Sequence, residues 1–300
     1  MKPLRVGTRR SPLALAQAQI VCTALASNGV TTEIVPMTTS GDEGAAAAGA
    51  PQGLKGLWID TILDALDSGQ IDLAVHSAKD LPAEDEDGFV IAAVPPRLHP
   101  FDVLITREPT LAPGAVVGTS SLRRRAQLLA AFPGLKLTEL RGNVDTRLRK
   151  LADGEVDATV LAEAGLARLG VTPPHARTLT LEQMVPAPGQ GSLAVQCRDD
   201  DDAAIDALTP LDHPPSHRTF DVERSLMWRV GGGCALPLGA FAEITSAGQV
   251  RLTALVATAD GDRVIRVEEE GVDGEAVAGQ AARALIEGGA EEILAEVRAT

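Results

Sequence analysis

Between Gly118 and Lys150 the chain reads GTSSLRRRAQLLAAFPGLKLTELRGNVDTRLRK. Eight cations (Arg123, Arg124, Arg125, Lys136, Arg141, Arg147, Arg149 and Lys150) face two acids there, Glu139 and Asp145, in a protein whose net charge is −14. A guanidinium fork grips a carboxylate or phosphate through two parallel hydrogen bonds, which an ammonium cannot do. The segment therefore reads as a pocket for a molecule with several negative groups. Gly118-Thr-Ser-Ser-Leu-Arg-Arg-Arg joins a strand to a helix start and offers N–H, O–H and guanidinium donors together. Three consecutive helical arginines point in three directions. We therefore expect Arg123 and Arg124 to face a ligand and Arg125 to be solvated. Arg141-Gly-Asn-Val-Asp-Thr-Arg147 is a further strand-to-helix turn of this kind.

Arg9, Arg10 and Ser11 repeat the arrangement near the start of the chain. They read either as a ligand site at the carboxyl end of a strand or as a surface loop with a good helix cap. Lys79-Asp80 follows a buried strand and is the best candidate for proton chemistry, because neighbouring cations favour an ionised aspartate. The bland alternative is a salt-bridged loop pair. His76 reads as a satisfied core histidine. Cys234 follows three glycines, which leave room for something bulky to approach or attach to its sulfur, and it reads equally well as an inert thiol. Cys22 and Cys197 read as small core residues.

The elements that would carry these groups alternate β and α. Expected are a strand at Leu4–Gly7, a helix from Pro12 to about Ser27 capped by Ser11, and a strand at Thr32–Met37. A helix at Leu57–Ser68 and a strand at Ile71–His76 follow. Gly41–Gly53, rich in Ala and Gly, reads as a mobile loop or lid. Pro95-Pro96 and Pro186–Gly191 suit crossovers between two lobes. After Pro214-Pro215 a helix, three alternating strands and a helical tail read as a separate α+β module. The expected domains are residues 1–95 plus 191–210, residues 99–186, and residues 214–300.

Three hundred residues require two or three cores. With 2% aromatics and no Tyr, those cores must be built from Ala, Leu and Val. The negative charge and the absence of interleaved aromatics argue against nucleic acid. No signal h-region or run of about 18 uncharged apolar residues occurs, so a cytoplasmic protein with no membrane association is expected. No zinc-type Cys/His spacing, P-loop or dinucleotide fingerprint is present.

TRRSPLALAQAQ, LKGLW, AVHSAKDLP, VGTSSLRRRAQL, LRGNVDTRLRKL, LAEAGLARLG, PAPGQGSLAVQCR and GGGCALPLGA resemble, in order and spacing, the porphobilinogen deaminase (hydroxymethylbilane synthase) family from about residue 4 to 298. The resemblance implies an α/β fold with two periplasmic-binding-protein-like lobes and a smaller α+β domain carrying a three-stranded antiparallel sheet. It implies a transferase of tetrapyrrole biosynthesis that condenses four porphobilinogens with loss of ammonia. The product, hydroxymethylbilane, grows on a dipyrromethane cofactor held by a thioether to Cys234, with no metal. By motif, Asp80 is the catalytic residue. Lys79, Ser121, Arg123, Arg124, Arg141 and Arg147 match cofactor-binding positions, and Arg9, Ser11, Gln17, Arg168 and Lys55 substrate-binding ones. A monomer is expected. Leu54 and Trp58 depart from the family pattern, which usually has Gly and Phe there. The rival reading is a non-catalytic two-lobed binder of an organic anion.

Overall fold

The computed structural model describes residues 2–38, 57–231 and 236–298. Lys55, Cys234 and the 41–53 loop lie outside them. The chain divides into two compact units, residues 1–98 with 192–217 and residues 99–191 with 218–300.

In the first unit β1 (Leu4–Arg9) leads through α1 (Pro12–Ser27) to β2 (Thr32–Met37), and α2 (Leu57–Asp67) leads to β3 (Leu73–Ser77). A single 3₁₀ turn, Ala78–Asp80, closes β3, and β4 (Phe89–Ala93) follows. Ser11 caps α1 as expected. Its side chain accepts from the Ala14 N–H at 3.2 Å, and Pro12 occupies the first helical position, where no N–H is missed. Ala14, Gln17, Ala18, Val21, Cys22 and Leu25 form the buried stripe of α1 at helical spacing. That stripe packs on Val6, Leu73 and Val75 of the sheet. Gln17 is the polar member of the stripe.

The second unit repeats the plan. It runs β5 (Asp102–Thr106), β6 (Val116–Gly118), α3 (Leu122–Ala131), β7 (Lys136–Thr138), α4 (Val144–Ala152), β8 (Ala158–Ala162), α5 (Glu163–Leu169) and β9 (Ala176–Thr178). The chain then returns to the first unit as β10 (Leu193–Arg198) and α6 (Asp202–Leu208). The first sheet has the order β2-β1-β3-β10-β4 and the second β7-β6-β8-β5-β9. In each, three parallel strands adjoin a fourth, antiparallel strand, β10 or β5. The strand ends carrying Arg9, Asp80 and Ser121 are thus carboxyl ends of parallel strands, where helix starts supply unpaired N–H groups.

After α7 (Pro214–Arg229), β11 (Leu238–Ile244), β12 (Val250–Ala257) and β13 (Val264–Gly271) form an antiparallel meander. β12 is almost wholly buried and β13 alternates, as a strand covered on one face should. Phe241, Leu255 and Ala257 of this sheet share one core cluster with Ala126 and Val185, so the meander packs on α3 within the second unit. The helical tail is broken into α8 (Gly274–Glu287) and α9 (Ala290–Arg298) at Gly288-Gly289, where Gly289 has φ +97°. Sequence reading missed that break. It also missed α5, α6 and β9, which are seven residues or fewer and too short for a periodic pattern to emerge.

One buried acid ties the return segment to the meander. Glu223 of α7 is fully buried and accepts from the Gly189 N–H at 2.6 Å and the Ala242 N–H at 2.7 Å. Glu223→Ala would orphan both donors, so we expect a loss of about 2–4 kcal/mol in chemical denaturation. A loss below about 1 kcal/mol would show that water replaces the carboxylate.

Candidate active site

Arg9, Ser11, Gln17, His76, Ser77 and Asp80 line one pocket of about 80 Å³ in the first unit, with Ile59 and Ile62 of α2 as apolar walls. Each side chain arrives by a separate local rule. β1 ends at Arg9, and the cap residue Ser11 opens α1. Gln17, one and a half turns into α1, donates from Nε2 to Ser77 Oγ at 2.7 Å and so joins the helix to the end of β3. The 3₁₀ turn then delivers Asp80, with Lys79 half-buried beside it. Gly7 of β1 lies directly under the Ile71 side chain, which a Cβ there would push aside. The structure thus brings together four residues named from sequence: Arg9, Ser11, Gln17 and Asp80.

His76 lines the same pocket and is buried, but it is not the satisfied core histidine expected. Its Nε2 is enclosed without a hydrogen-bond partner. Burial pulls the imidazole down to about 4, with Gln196 and Asp80 opposing that shift incompletely, so the ring is neutral at physiological pH. Cys22 and Cys197 are core residues as expected, and burial pushes the Cys197 thiol up to about 11.

In the second unit the turn after β6 matches the turn after β1. Ser121 caps α3 by accepting from the Arg124 N–H at 3.4 Å, and Asn143 caps α4 by accepting from the Thr146 N–H at 2.9 Å. A Cβ on Gly118 would sit 2.8 Å from Leu140, so a glycine is needed where this strand meets its neighbours. The two turns are drawn together by Arg147, which donates from Nε to Gly142 O at 2.8 Å and from Nη2 to Ser120 Oγ at 3.5 Å. Desolvation and the nearby Arg124 lower its guanidinium to about 10. Arg168 of α5 donates from Nη2 to Gly191 O at 2.7 Å, while its Nε is buried without a partner, and desolvation lowers it also to about 10. Arg141 is exposed and pairs with Glu139 at 2.6 Å, a surface contact of little strength that a ligand carboxylate can displace.

Arg123 and Arg124 are organised differently from the sequence expectation. Both are buried, and both bind the same fully buried carboxylate, Asp102 of β5. Arg123 Nη1 reaches Asp102 at 2.8 Å and Val185 O at 2.7 Å. Arg124 reaches Asp102 through Nε at 3.0 Å and Nη2 at 2.7 Å, and Val160 O through Nη1 at 2.9 Å. Burial lowers Arg123 in spite of Asp102, and Arg124 adds to the effect. Two guanidiniums on one carboxylate leave the cluster a net cation. Arg125, as expected, is exposed. The sequence signal for Asp102 was a lone acid opening an apolar strand, lying outside the basic segment. Because both arginines keep their burial when their common partner is removed, Asp102→Asn is expected to cost about 3–5 kcal/mol, measured by denaturant unfolding. A change under about 1 kcal/mol would mean that the pair is hydrated.

Comparison with known proteins gives the same answer along the chain. Residues 4–206 match the family model "Porphobilinogen deaminase, dipyromethane cofactor binding domain" and residues 218–287 match "Porphobilinogen deaminase, C-terminal domain". Porphobilinogen deaminase of Thermus thermophilus is 44% identical, covering 99% of this chain and 100% of its own length. That of Brevibacillus brevis is 41% identical over 98% of this chain and 97% of its own. That of Desulforudis audaxviator is 45% identical over 98% and 97%. A periplasmic substrate-binding protein from Coxiella burnetii is a slighter likeness, with TM-score 0.42 and 18% identity over 74% of this chain and 96% of that one. Two domain models in sequence order and relatives matched almost end to end leave one assignment: the chain belongs to the porphobilinogen deaminase family.

Proposed function

We infer that the chain is a deaminating transferase that joins four porphobilinogen molecules head to tail into hydroxymethylbilane, and that it works as a cytoplasmic monomer. The observation that carries the chemistry is the pocket in which one carboxylate, Asp80, faces Arg9 and the polar groups of Ser11 and Gln17. Every pyrrole of such a substrate bears an acetate and a propionate. Carboxylates of this kind suit Arg147 and Arg168, which donate to carbonyl and hydroxyl oxygens, and the buried Arg168 Nε lacks a partner among the described residues. The donors present therefore fit a dipyrromethane cofactor.

In this reading Ser121, Arg141 and Arg147 hold cofactor carboxylates, with Arg123, Arg124 and Lys79 completing the positive field. When bound, the dipyrromethane supplies the pyrrole carbon that is extended. Arg9, Ser11, Gln17 and Arg168 hold the side arms of the incoming substrate, and Lys55 closes on it. The carbon–nitrogen bond of the protonated substrate aminomethyl group breaks with its electron pair leaving on ammonia, and the methylene carbon so freed bonds to the open pyrrole carbon of the chain being extended. Asp80 balances the positive charge left on that ring and accepts hydrogen bonds from pyrrole N–H groups. It then takes up the proton released from the newly substituted carbon. Cys234 carries the cofactor through its sulfur. The chain is read as two lobes (1–95 with 191–210, and 99–186) and a cofactor-bearing domain (214–300).

Intact-protein mass tests the covalent assignment. The wild-type protein is expected to exceed its chain mass by two linked pyrrole units and Cys234→Ser to lose that increment. A bare-mass protein that still makes hydroxymethylbilane would refute the attachment. Asp80→Asn should keep the mass increment and lower kcat by about 10²-fold or more, whereas near-normal turnover would remove Asp80 from the chemistry.

A further inference from the structure

Three buried polar atoms behind the pocket have no hydrogen-bond partner: His76 Nε2, Ser192 Oγ and Gln196 Oε1. Their residues are 8%, 1% and 6% exposed. The strand register explains why they belong together. β10 runs antiparallel to β3 with Ala194 opposite His76 and Gln196 opposite Ala74. His76, Gln196 and Ser192, whose carbonyl accepts from the Ala78 N–H at 3.1 Å, therefore stand on one face of the sheet. The other face carries Leu73, Val75, Leu193, Val195 and Cys197 into the apolar core. The Gln196 side chain faces His76 closely enough to oppose the lowering of the ring as a hydrogen-bonding partner would, but no contact of full hydrogen-bond geometry is made at Gln196 Oε1 or His76 Nε2.

Orphaned polar groups at this depth each cost about 1–3 kcal/mol unless water reaches them, and three of them share one face of the sheet. A water bonded to His76 Nε2 and Gln196 Oε1 would remove most of that cost and fix the tautomer of the ring. We propose that His76, Gln196 and Ser192 hold a buried hydration site behind the pocket, and that His76, locked by it in one neutral tautomer, is a positioning residue that orients the Asp80 carboxylate. This role rests on the assignment of Asp80 given above. The other charged group lining the pocket is Arg9, and Lys79 stands half-buried beside Asp80; α1 carries no charged residue, and Asp60, Asp64 and Asp67 of α2 are exposed, so among the described residues the charges to reckon with near the ring are Asp80, Arg9 and Lys79.

Nitrogen-15 NMR of His76 in the wild-type holoenzyme tests the site without relying on turnover. A single fixed tautomer is expected from pH 8 to 5, with protonation only near 4, and a crystal map should show ordered density about 2.7–3.2 Å from His76 Nε2 and Gln196 Oε1. Gln196→Leu with Ser192→Ala should remove that density and let the ring exchange tautomers. The double variant should also lower kcat about 10-fold while KM stays within about 2-fold, and His76→Gln should match it, with a changed pH–rate profile in both. An empty cavity, a ring that titrates near 6.5, or a double variant with wild-type kcat and pH profile would overturn the proposal. Asp80→Asn separates the two readings. If it is inactive while the double variant is normal, only the His76 role fails. If it is fully active with the hydration site intact, the Asp80 assignment fails and the positioning role falls with it.

Discussion

A guanidinium taken out of water without a carboxylate to meet it destabilises the fold that holds it, and the second unit accepts this several times over. Asp102 serves two arginines at once. Arg147 and Arg168 make do with carbonyl and hydroxyl oxygens, and desolvation lowers both to about 10. These features have one direction: the unit is short of negative charge in its interior while the chain as a whole carries −14. Among the described residues Arg147 and Arg168 meet no carboxylate of the chain, the pattern expected where a ligand brings carboxylates of its own. The Asp102 cluster has a second consequence. A carboxylate shared by two adjacent guanidiniums fixes both side chains and leaves one positive charge uncompensated within the cluster.

The first unit solves a different problem with the same turn. Its pocket has few charges, apolar walls from Ile59 and Ile62, and the single carboxylate of Asp80. Apolar walls strengthen the field of that carboxylate by excluding water. Rigid delivery comes from the Gln17–Ser77 hydrogen bond and the 3₁₀ turn, neither of which is a long loop. The cation-rich turns of the second unit and the carboxylate-bearing pocket of the first are thus built by separate local devices, which suits the proposed chemistry on a polyanionic substrate.

Much of this was readable from residue types. Ser11-Pro12 announced α1 because capping chemistry is local, and Pro95-Pro96 and Pro186–Gly191 lie within a few residues of the points where the chain passes between its two compact units. The basic turns and Asp80 stood out because charge against the trend of the chain needs a reason. What escaped was long-range. Asp102 is 21 residues from Arg123, and nothing local says they meet. Val6-Gly7-Thr8 near the end of β1 recurs as Val117-Gly118-Thr119 across the end of β6, and only the matching strand orders give that recurrence meaning. His76 was read as satisfied because a histidine in an apolar strand usually is; its orphaned nitrogen depends on what β10 sets opposite, and that is a matter of register.

The central claim is that cations partly withdrawn from water meet no carboxylate of the chain, among the described residues, for the sake of a carboxylate ligand, and the stability of Arg147→Leu tests it most directly. Unfolding would be compared in the cofactor-loaded protein and in a Cys234→Ser background. The account predicts opposite signs: the cofactor-free protein gains about 1 kcal/mol when a guanidinium that meets no carboxylate is replaced by an apolar side chain, while the loaded protein loses stability. Equal destabilisation in both forms would contradict it, because Arg147 would then be supporting the fold and not waiting for an anion.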